Sequence, residues 1–294
     1  MPDSSTFARH LRLGLIGDNI AASQAPGFHR LAGVQSGIAV TYDRLVPGRM
    51  EMDFDTLFAQ CATSGLHGIN VTYPYKERVV RHVGIPEPVV AAIGAVNTVL
   101  FGPGRPRGYN TDHSGFIAAY RSVREDRRPG KVILVGTGGV GRAVSFALLS
   151  LGAEEICLLD QDVGKATHLA ADLQAAAANC RITVSQDAAV SARGADGFIN
   201  CTPVGMVGYV GTPLPAGLLR GGSWAFDAVY TPVETRFLGD AAAAGLEIIS
   251  GYELFFNQAV DAWSLFAGVP LDSTRMRQDL AAAAAGSNQI GQPS

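Results

Sequence analysis

The chain has little that would staple, chelate or anchor it. Cysteine is sparse: Cys61, Cys157, Cys180 and Cys201 are scattered, with no C-x-x-C pair and no Cys/His cluster. That spacing argues against a disulfide framework and against a metal site, and it fits a reducing cytoplasm. Charge is scarce too, at 17% of residues with a formal net charge of -3. A chain so balanced has no bulk electrostatic pull towards nucleic acid or an anionic membrane surface. Long apolar runs are missing as well. The stretch 11–16 is broken by Arg12 and Gly14, and no run elsewhere approaches a membrane span. The expectation is a soluble, cytoplasmic protein whose 294 residues leave room for two domains.

What the chain does have is alternation. Strand-like and helix-like segments alternate almost throughout, the pattern of parallel α/β sheets. In the first part, strands are expected at 12–16, 40–46, 68–72 and 95–101, and helices at 27–37, 54–64 and 77–83. A helix is expected to start after Thr111 or Asp112 and to reach about Arg124, and Pro129-Gly130 then reads as a hinge. From there the pattern restarts with strands at 131–135, 156–160, 182–184, 197–200, 223–227 and 247–249. The last helices, 252–268 and 276–285, are expected to return to the first domain, and the alanine-rich tail from Ala281 to fray.

Lys131 and four apolar residues read as a strand buried on both faces, and Gly136-Thr137-Gly138-Gly139-Val140-Gly141 follows at once, with an apolar helix behind it. This is G-x-G-x-x-G in the strand–turn–helix context that makes the motif credible. Gly136 permits the tight turn, Gly138 lets the backbone approach a pyrophosphate, and Gly141 lets helix and strand pack closely. The exposed N–H groups of the turn, those of Gly139 and Val140 included, and the dipole of the helix expected at 142–151 hold the negative charge. The motif marks a Rossmann-type dinucleotide-binding domain. The next strand ends in Asp160, placed to accept from an adenosine ribose 2′-OH and to repel a 2′-phosphate. No arginine follows it, Lys165 being the nearby cation, so NAD is favoured over NADP.

A dinucleotide site does not say what is done with the nucleotide. Two segments of the first part present polar side chains at strand ends, Asn70-Val71-Thr72-Tyr73-Pro74-Tyr75-Lys76 and Ala95-Val96-Asn97-Thr98. A third, Asn110-Thr111-Asp112, precedes a helix. In open α/β sheets such strand ends line ligand clefts.

With these segments the sequence resembles the shikimate/quinate dehydrogenase family. The match runs through 14–17, Ser23-Gln24-Ala25-Pro26 with His29, 70–76, 94–98, 110–112 and the glycine turn. It continues through Asn200-Cys201-Thr202-Pro203-Val204-Gly205-Met206, Asp227-Ala228-Val229-Tyr230-Thr231-Pro232 and Gln258-Ala259, in the family's order and over nearly the whole chain. The resemblance implies a substrate-binding α/β domain, 1–113 with 252–294, and an NAD(P)-binding Rossmann domain, 114–251, with a cyclic hydroxy acid in the cleft between them. It also implies hydride transfer between nicotinamide and the ring carbon bearing a hydroxyl, with Lys76 and Asp112 as the catalytic pair. Which of the two is the base stays open. By the same resemblance Asn70, Thr72, Asn97 and Gln258 would bond the ring hydroxyls, Ser23 the carboxylate, and Tyr230 would close the cleft. Thr202, Pro203, Val204 and Met206 would lie along the nicotinamide. A homodimer fits the exposed sheet edges of such folds.

One departure stands out. The family's carboxylate motif carries a second serine or threonine where this chain has Ala25, and a histidine where it has Ala22. A lost hydrogen bond to a charged group costs ~1.5–3 kcal/mol, roughly one to two powers of ten in affinity. The substrate therefore stays open between shikimate, quinate, an aminoshikimate or another cyclic polyol acid. A non-catalytic NAD-binding member, and a biosynthetic or catabolic role, stay open with it. For His29 a structural role is at least as good a reading, and the cysteines read as small core residues.

Overall fold

A computed structural model describes residues 9–177 and 179–289, with side chains to residue 284. The chain divides into two compact units. One comprises the described residues of Met1–Gly84 and Ala259–Ser294 with Asn97–Gly108; the other comprises Ile85–Val96 and Tyr109–Gln258.

In chain order, the elements are β1 (His10–Ile16), α1 (Ala25–Ser36), β2 (Ala39–Leu45), α2 (Phe54–Thr63), β3 (Gly68–Val71), α3 (Pro88–Ile93), β4 (Thr98–Leu100), β5 (Arg107–Tyr109) and α4 (Thr111–Arg124). They continue as β6 (Lys131–Val135), α5 (Gly139–Ser150), β7 (Glu155–Leu159), α6 (Val163–Ala176), β8 (Arg181–Val184), α7 (Ala188–Ser191), β9 (Gly197–Asn200), β10 (Trp224–Asp227), α8 (Arg236–Ala243), β11 (Glu247–Ile249), α9 (Gly251–Ala267) and α10 (Ser273–Gln289).

The first unit is built on a five-stranded sheet in the order β2-β1-β3-β4-β5. It is parallel from β2 to β3 and turns antiparallel at β4, where Asn70 faces Thr98. Strand β4 is shorter than the expected 95–101. α1 has a proline in its first turn and closes on Gly37 in the left-handed region (φ 66°), the N-terminal Pro, C-terminal Gly arrangement. α10 packs against α1 and runs past Ala281, where fraying was expected, to Gln289; 290–294 lie outside the described residues. Near the sheet, a Cβ on Gly68 would sit 2.5 Å from the Phe266 ring, so α9 lies directly on β3 there.

The second unit holds a parallel six-stranded sheet, β11-β10-β9-β6-β7-β8. Starting from β6 and numbering within the unit, that is the doubly wound order 3-2-1-4-5-6, with its reversal between β6 and β9. Strands β9 and β10 are buried along their length and β6 at its centre, and all three are mainly apolar, as a sheet covered on both faces requires. Aromatic pairs fix α4 to the sheet: Phe116 meets Phe226 edge-on at 4.9 Å, and Tyr120 meets Trp224 at 5.0 Å. Each such pair contributes about 0.5–1.5 kcal/mol beyond its buried area. The compact units draw their line elsewhere than the division of roles expected at 113/114 and 251/252, because α4 packs against α5 and β11.

Candidate functional site

The glycine turn sits at the reversal point of the second sheet. Gly136, directly after β6, has φ 96°, and a Cβ there would lie 2.7 Å from the Thr202 methyl and 2.8 Å from the Cys201 carbonyl carbon. The loops after β6 and β9 therefore touch only because residue 136 is glycine. A Cβ on Gly141 would lie 1.9 Å from the Gly136 carbonyl oxygen, a backbone atom that cannot swing aside. At Gly138, the N-cap of α5, a Cβ would meet nothing within 4 Å, and no side chain caps the helix. That open, uncapped start, with no acidic residue in its first turn, fits a dinucleotide pyrophosphate on the N–H groups of Gly139, Val140 and Gly141. Arg142 is engaged elsewhere, pairing with Asp172 at 2.5 Å and donating to the Ile93 carbonyl. Gly141→Ala is expected to weaken dinucleotide binding at least tenfold and to lower the melting temperature, measured by titration and thermal unfolding; an unchanged Kd would show that the turn tolerates the methyl.

Asp160 lies immediately beyond β7. Its Oδ2 accepts from the Thr137 amide and hydroxyl, each at 2.7 Å, and its Oδ1 accepts from the Asp162 amide at 2.9 Å. Burial pushes the carboxyl up, but those hydrogen bonds and the charge of Lys165 outweigh it and hold it below the usual carboxylate range. A carboxylate has about four lone-pair sites, so three bonds leave about one for a ribose hydroxyl. Thr137, at one of the variable positions of the turn, thus ties Asp160 to the glycine loop.

Beyond β9, the segment expected along the nicotinamide is knotted from below. Asn200 Oδ1 accepts from the Thr202 amide (3.0 Å) and hydroxyl (2.6 Å), and the Val204 amide donates to that hydroxyl oxygen at 3.2 Å. Asn200 Nδ2 donates to the Val204 carbonyl at 3.0 Å and to Asp227 Oδ1 at 2.9 Å. Asp227 faces Asn200 in the sheet register and also accepts from the Val229 amide (3.0 Å) and the Thr235 hydroxyl (2.6 Å). Buried at 0% exposure, its carboxyl is pushed up to about 6 by desolvation, which outweighs the three donors. The Met206 amide closes a turn onto Pro203 at 3.0 Å, and Tyr230 stacks on Phe255 at 4.9 Å.

Asp112 is buried in the first turn of α4, whose N-cap Asn110 accepts from the amides of Asp112 (3.1 Å) and His113 (3.2 Å). Asn110 in turn donates to the Ala95 carbonyl at 2.8 Å, which fixes the cap. Gln258 Oε1 accepts from the neighbouring Thr111 hydroxyl at 3.3 Å. A Cβ on Gly115 would lie 2.8 Å from the Gln258 backbone nitrogen, so α4 and α9 are in near contact at Gln258.

In the first unit, Ser23 follows β1, Thr72 and Lys76 follow β3, and Asn97 precedes β4. A Cβ on Gly17 would lie 2.3 Å from the Thr72 methyl, so the loops after β1 and β3 are held together by the missing side chain. Tyr75 strengthens this by donating to Asp18 Oδ1 at 2.6 Å. Lys76 is 8% exposed. Directly after it, Arg78 (2.6 Å), His82 (2.7 Å) and Arg81 all engage Asp55 of α2, which pins the segment. Ser23 Oγ accepts from the Ala25 amide at 3.3 Å, and Ala25 is buried. The structure thus joins Asn70 to Asn97 (the Asn70 amide donates to the Asn97 carbonyl) and gathers the residues after β9, while Lys76 belongs to one unit and Asp112 to the other. The sequence reading assigns no role to Tyr42, Asp227 or Thr235. For Asp227 the available signal is a lone acid closing the apolar strand Trp224–Asp227.

A doubly wound sheet with an open glycine turn at its reversal point defines a protein of the dinucleotide-binding class. Residues 15–99 match the shikimate dehydrogenase substrate binding domain. The chain is 35% identical to shikimate dehydrogenase (NADP(+)) of Arthrobacter sp. (strain FB24), covering 93% of this chain and 95% of that protein. It is 36% identical to quinate/shikimate dehydrogenase (NAD(+)) of Corynebacterium efficiens, covering 90% and 95% respectively. Among solved structures, quinate dehydrogenase from Corynebacterium glutamicum in complex with NAD superposes with a TM-score of 0.84 at 33% identity, over 93% of this chain and 99% of that one. The chain belongs to the shikimate/quinate dehydrogenase family. Among the described residues, no helix is long and apolar enough to cross a membrane.

Proposed function

We propose that the protein is a shikimate/quinate-type dehydrogenase that uses NAD in preference to NADP. The observation that carries this reading is the pairing of an open glycine turn at the sheet's reversal point with a buried lysine, Lys76, on the loop after a strand of the other unit. Charged side chains are almost never fully buried unless they are paired. When bound, the dinucleotide takes up or supplies the hydride at the carbon bearing the reacting hydroxyl. Lys76 and Asp112 exchange the hydroxyl proton, while Thr72, Asn97 and Gln258 hold ring hydroxyls and Ser23 the carboxylate. Tyr230 covers the substrate, and Thr202, Pro203, Val204 and Met206 wall the nicotinamide. In this assignment the substrate-binding part is 1–113 with 252–294, and 114–251 binds the dinucleotide. The test is absorbance of reduced nicotinamide with shikimate, quinate and aminoshikimate, each with NAD and NADP. Turnover of at least one acid is expected, and none with any of them overturns the reading.

The NAD preference rests on Asp160, which stays ionised at neutral pH and keeps about one lone-pair site for a ribose hydroxyl. A 2′-phosphate placed there would meet a like charge. Asp160→Ala is expected to lower the NAD-to-NADP ratio of kcat/KM about tenfold; an unchanged ratio removes the ribose role. A second reading of the substrate is favoured by Ala25. Its buried methyl stands where a hydroxyl would bond a carboxylate, so an acid bulkier at that carbon, such as quinate, gains room there. The same parallel kinetics rank the three acids.

A further inference from the structure

The hydrogen bonds of Asn70 run inward. Its Nδ2 donates to Thr98 Oγ1 at 3.1 Å and to the Asn97 carbonyl at 3.4 Å, and its Oδ1 accepts from the Tyr42 hydroxyl at 2.7 Å. The Thr98 hydroxyl then donates to Asn97 Oδ1 at 3.0 Å. The sense of this chain is fixed at one end by chemistry. A backbone carbonyl can only accept, so the nitrogen of Asn70 must face Asn97, and the Tyr42 hydroxyl must give its single hydrogen to the oxygen. Thr98, having accepted from Asn70, gives its own hydrogen to Asn97. Donation therefore runs one way, Tyr42 to Asn70 to Thr98 to Asn97. The bond from Thr98 to Asn97 Oδ1 thus fixes which way the Asn97 amide is turned.

The fold enforces this relay. Asn70 and Thr98 are opposed in the antiparallel register of β3 and β4. Tyr42, on β2, is 2% exposed, and the His29 imidazole stacks flat on its ring at 5.1 Å and 8°. His29 also hydrogen-bonds Asn70, and burial lowers its pKa to about 3, so no charge forms beside the relay near neutral pH. All five residues are buried. Among the described residues, His29 Nδ1 is buried without a hydrogen-bond partner, so the satisfied polar chain is the one that runs from Tyr42 to Asn97.

We propose that Tyr42 is a positioning residue for the substrate: by donating to the Asn70 oxygen it holds Asn70, and through Thr98 the side chain of Asn97, in the one sense the Asn97 carbonyl allows, and so steadies the edge with which Asn97 meets a polyol acid. This rests on the dehydrogenase reading above, and it makes Asn70 chiefly a relay. The test compares wild type, Tyr42→Phe, Thr98→Val and Thr98→Ser. Tyr42→Phe keeps the ring that stacks on His29 and removes only the hydroxyl. It is expected to raise KM for the acid that wild type turns over about tenfold, with kcat changed less than threefold and the dinucleotide Kd unchanged. Thr98→Val is expected to do the same, and Thr98→Ser to restore a KM close to wild type. Because the two hydroxyls act in series, the double variant Tyr42→Phe/Thr98→Val should be little worse than either single one. An unchanged KM in Tyr42→Phe, or fully additive losses in the double variant, overturns the relay while wild-type turnover leaves the dehydrogenase reading standing. No wild-type turnover of any polyol acid removes both.

Discussion

Lys76→Ala should lower kcat by ~10²–10⁴-fold, the usual contribution of a positioned proton-transfer group, while the dinucleotide Kd stays within about twofold of wild type. The separation of the two effects follows from where the residues lie. Lys76 sits on the loop after β3, in the first unit, and the turn fitted for the pyrophosphate is made by residues after β6, in the second. The segment carrying Lys76 is pinned on one side by Tyr75 to Asp18 and on the other by Arg78, Arg81 and His82 to Asp55. Truncating the lysine leaves those anchors intact, so lost turnover would not report a collapsed loop. Two companions sort its role. Lys76→Arg keeps the charge but replaces a compact donor with a planar fork, and is expected to remain deeply impaired. Asp112→Asn should fall by a comparable factor if the two act as a unit, and the double variant Lys76→Ala/Asp112→Asn should then be no worse than the more damaging single one. Turnover by Lys76→Ala within tenfold of wild type would falsify the catalytic assignment of Lys76.

How much of this was legible in the sequence depends on how local the cause is. The places of the glycine turn and of Asp160 at the end of the next strand were legible because a strand, a turn, a helix and the next strand follow one another in the sequence. The companion of Asp160 was not: Thr137 occupies a variable position of the motif, and its role shows only once its amide and hydroxyl reach the carboxylate. Strand β4 was legible as a strand but not in its sense or length. Of the expected 95–101, Ala95 instead accepts from the helix cap Asn110, and β4 pairs antiparallel to β3. Strand β5 and helix α8 were missed, the first being three residues long and the second opening on Thr235, whose cap bond to the Leu238 amide is visible only in the fold. The Tyr42 relay was hidden for the same reason. Tyr42 and Asn70 are 28 positions apart, and only the order β2-β1-β3 brings the phenol to the amide.

Asp227 tests that contrast most severely, since its environment is assembled from β9, β10 and the start of α8. Raising a carboxyl from 3.8 to about 6 corresponds to about 3 kcal/mol between its two protonation states. The sign follows from linkage. Below pH ~4 the acid is protonated in both folded and unfolded chains and nothing is lost. Between pH ~4 and ~6 the unfolded chain ionises first while the folded one keeps its proton, so stability falls as pH rises; above ~6 the loss is complete. Asp227→Asn cannot ionise. Its Oδ1 still accepts from Asn200 and Val229, and its Nδ2 can donate to the Thr235 hydroxyl oxygen, so the knot under residues 202–206 keeps its shape. In urea unfolding at a series of pH values, the stability of Asp227→Asn relative to wild type should therefore rise by about 3 kcal/mol between pH 3.5 and pH 7.5. Carboxylates such as Asp55 and Asp160 titrate alike in both proteins and cancel in that difference. Dinucleotide affinity should survive in Asp227→Asn and weaken in Asp227→Ala, which leaves the Asn200, Val229 and Thr235 donors without their acceptor. A stability difference between Asp227→Asn and wild type that stays flat across this range would show that the three donors, not burial, govern the carboxylate.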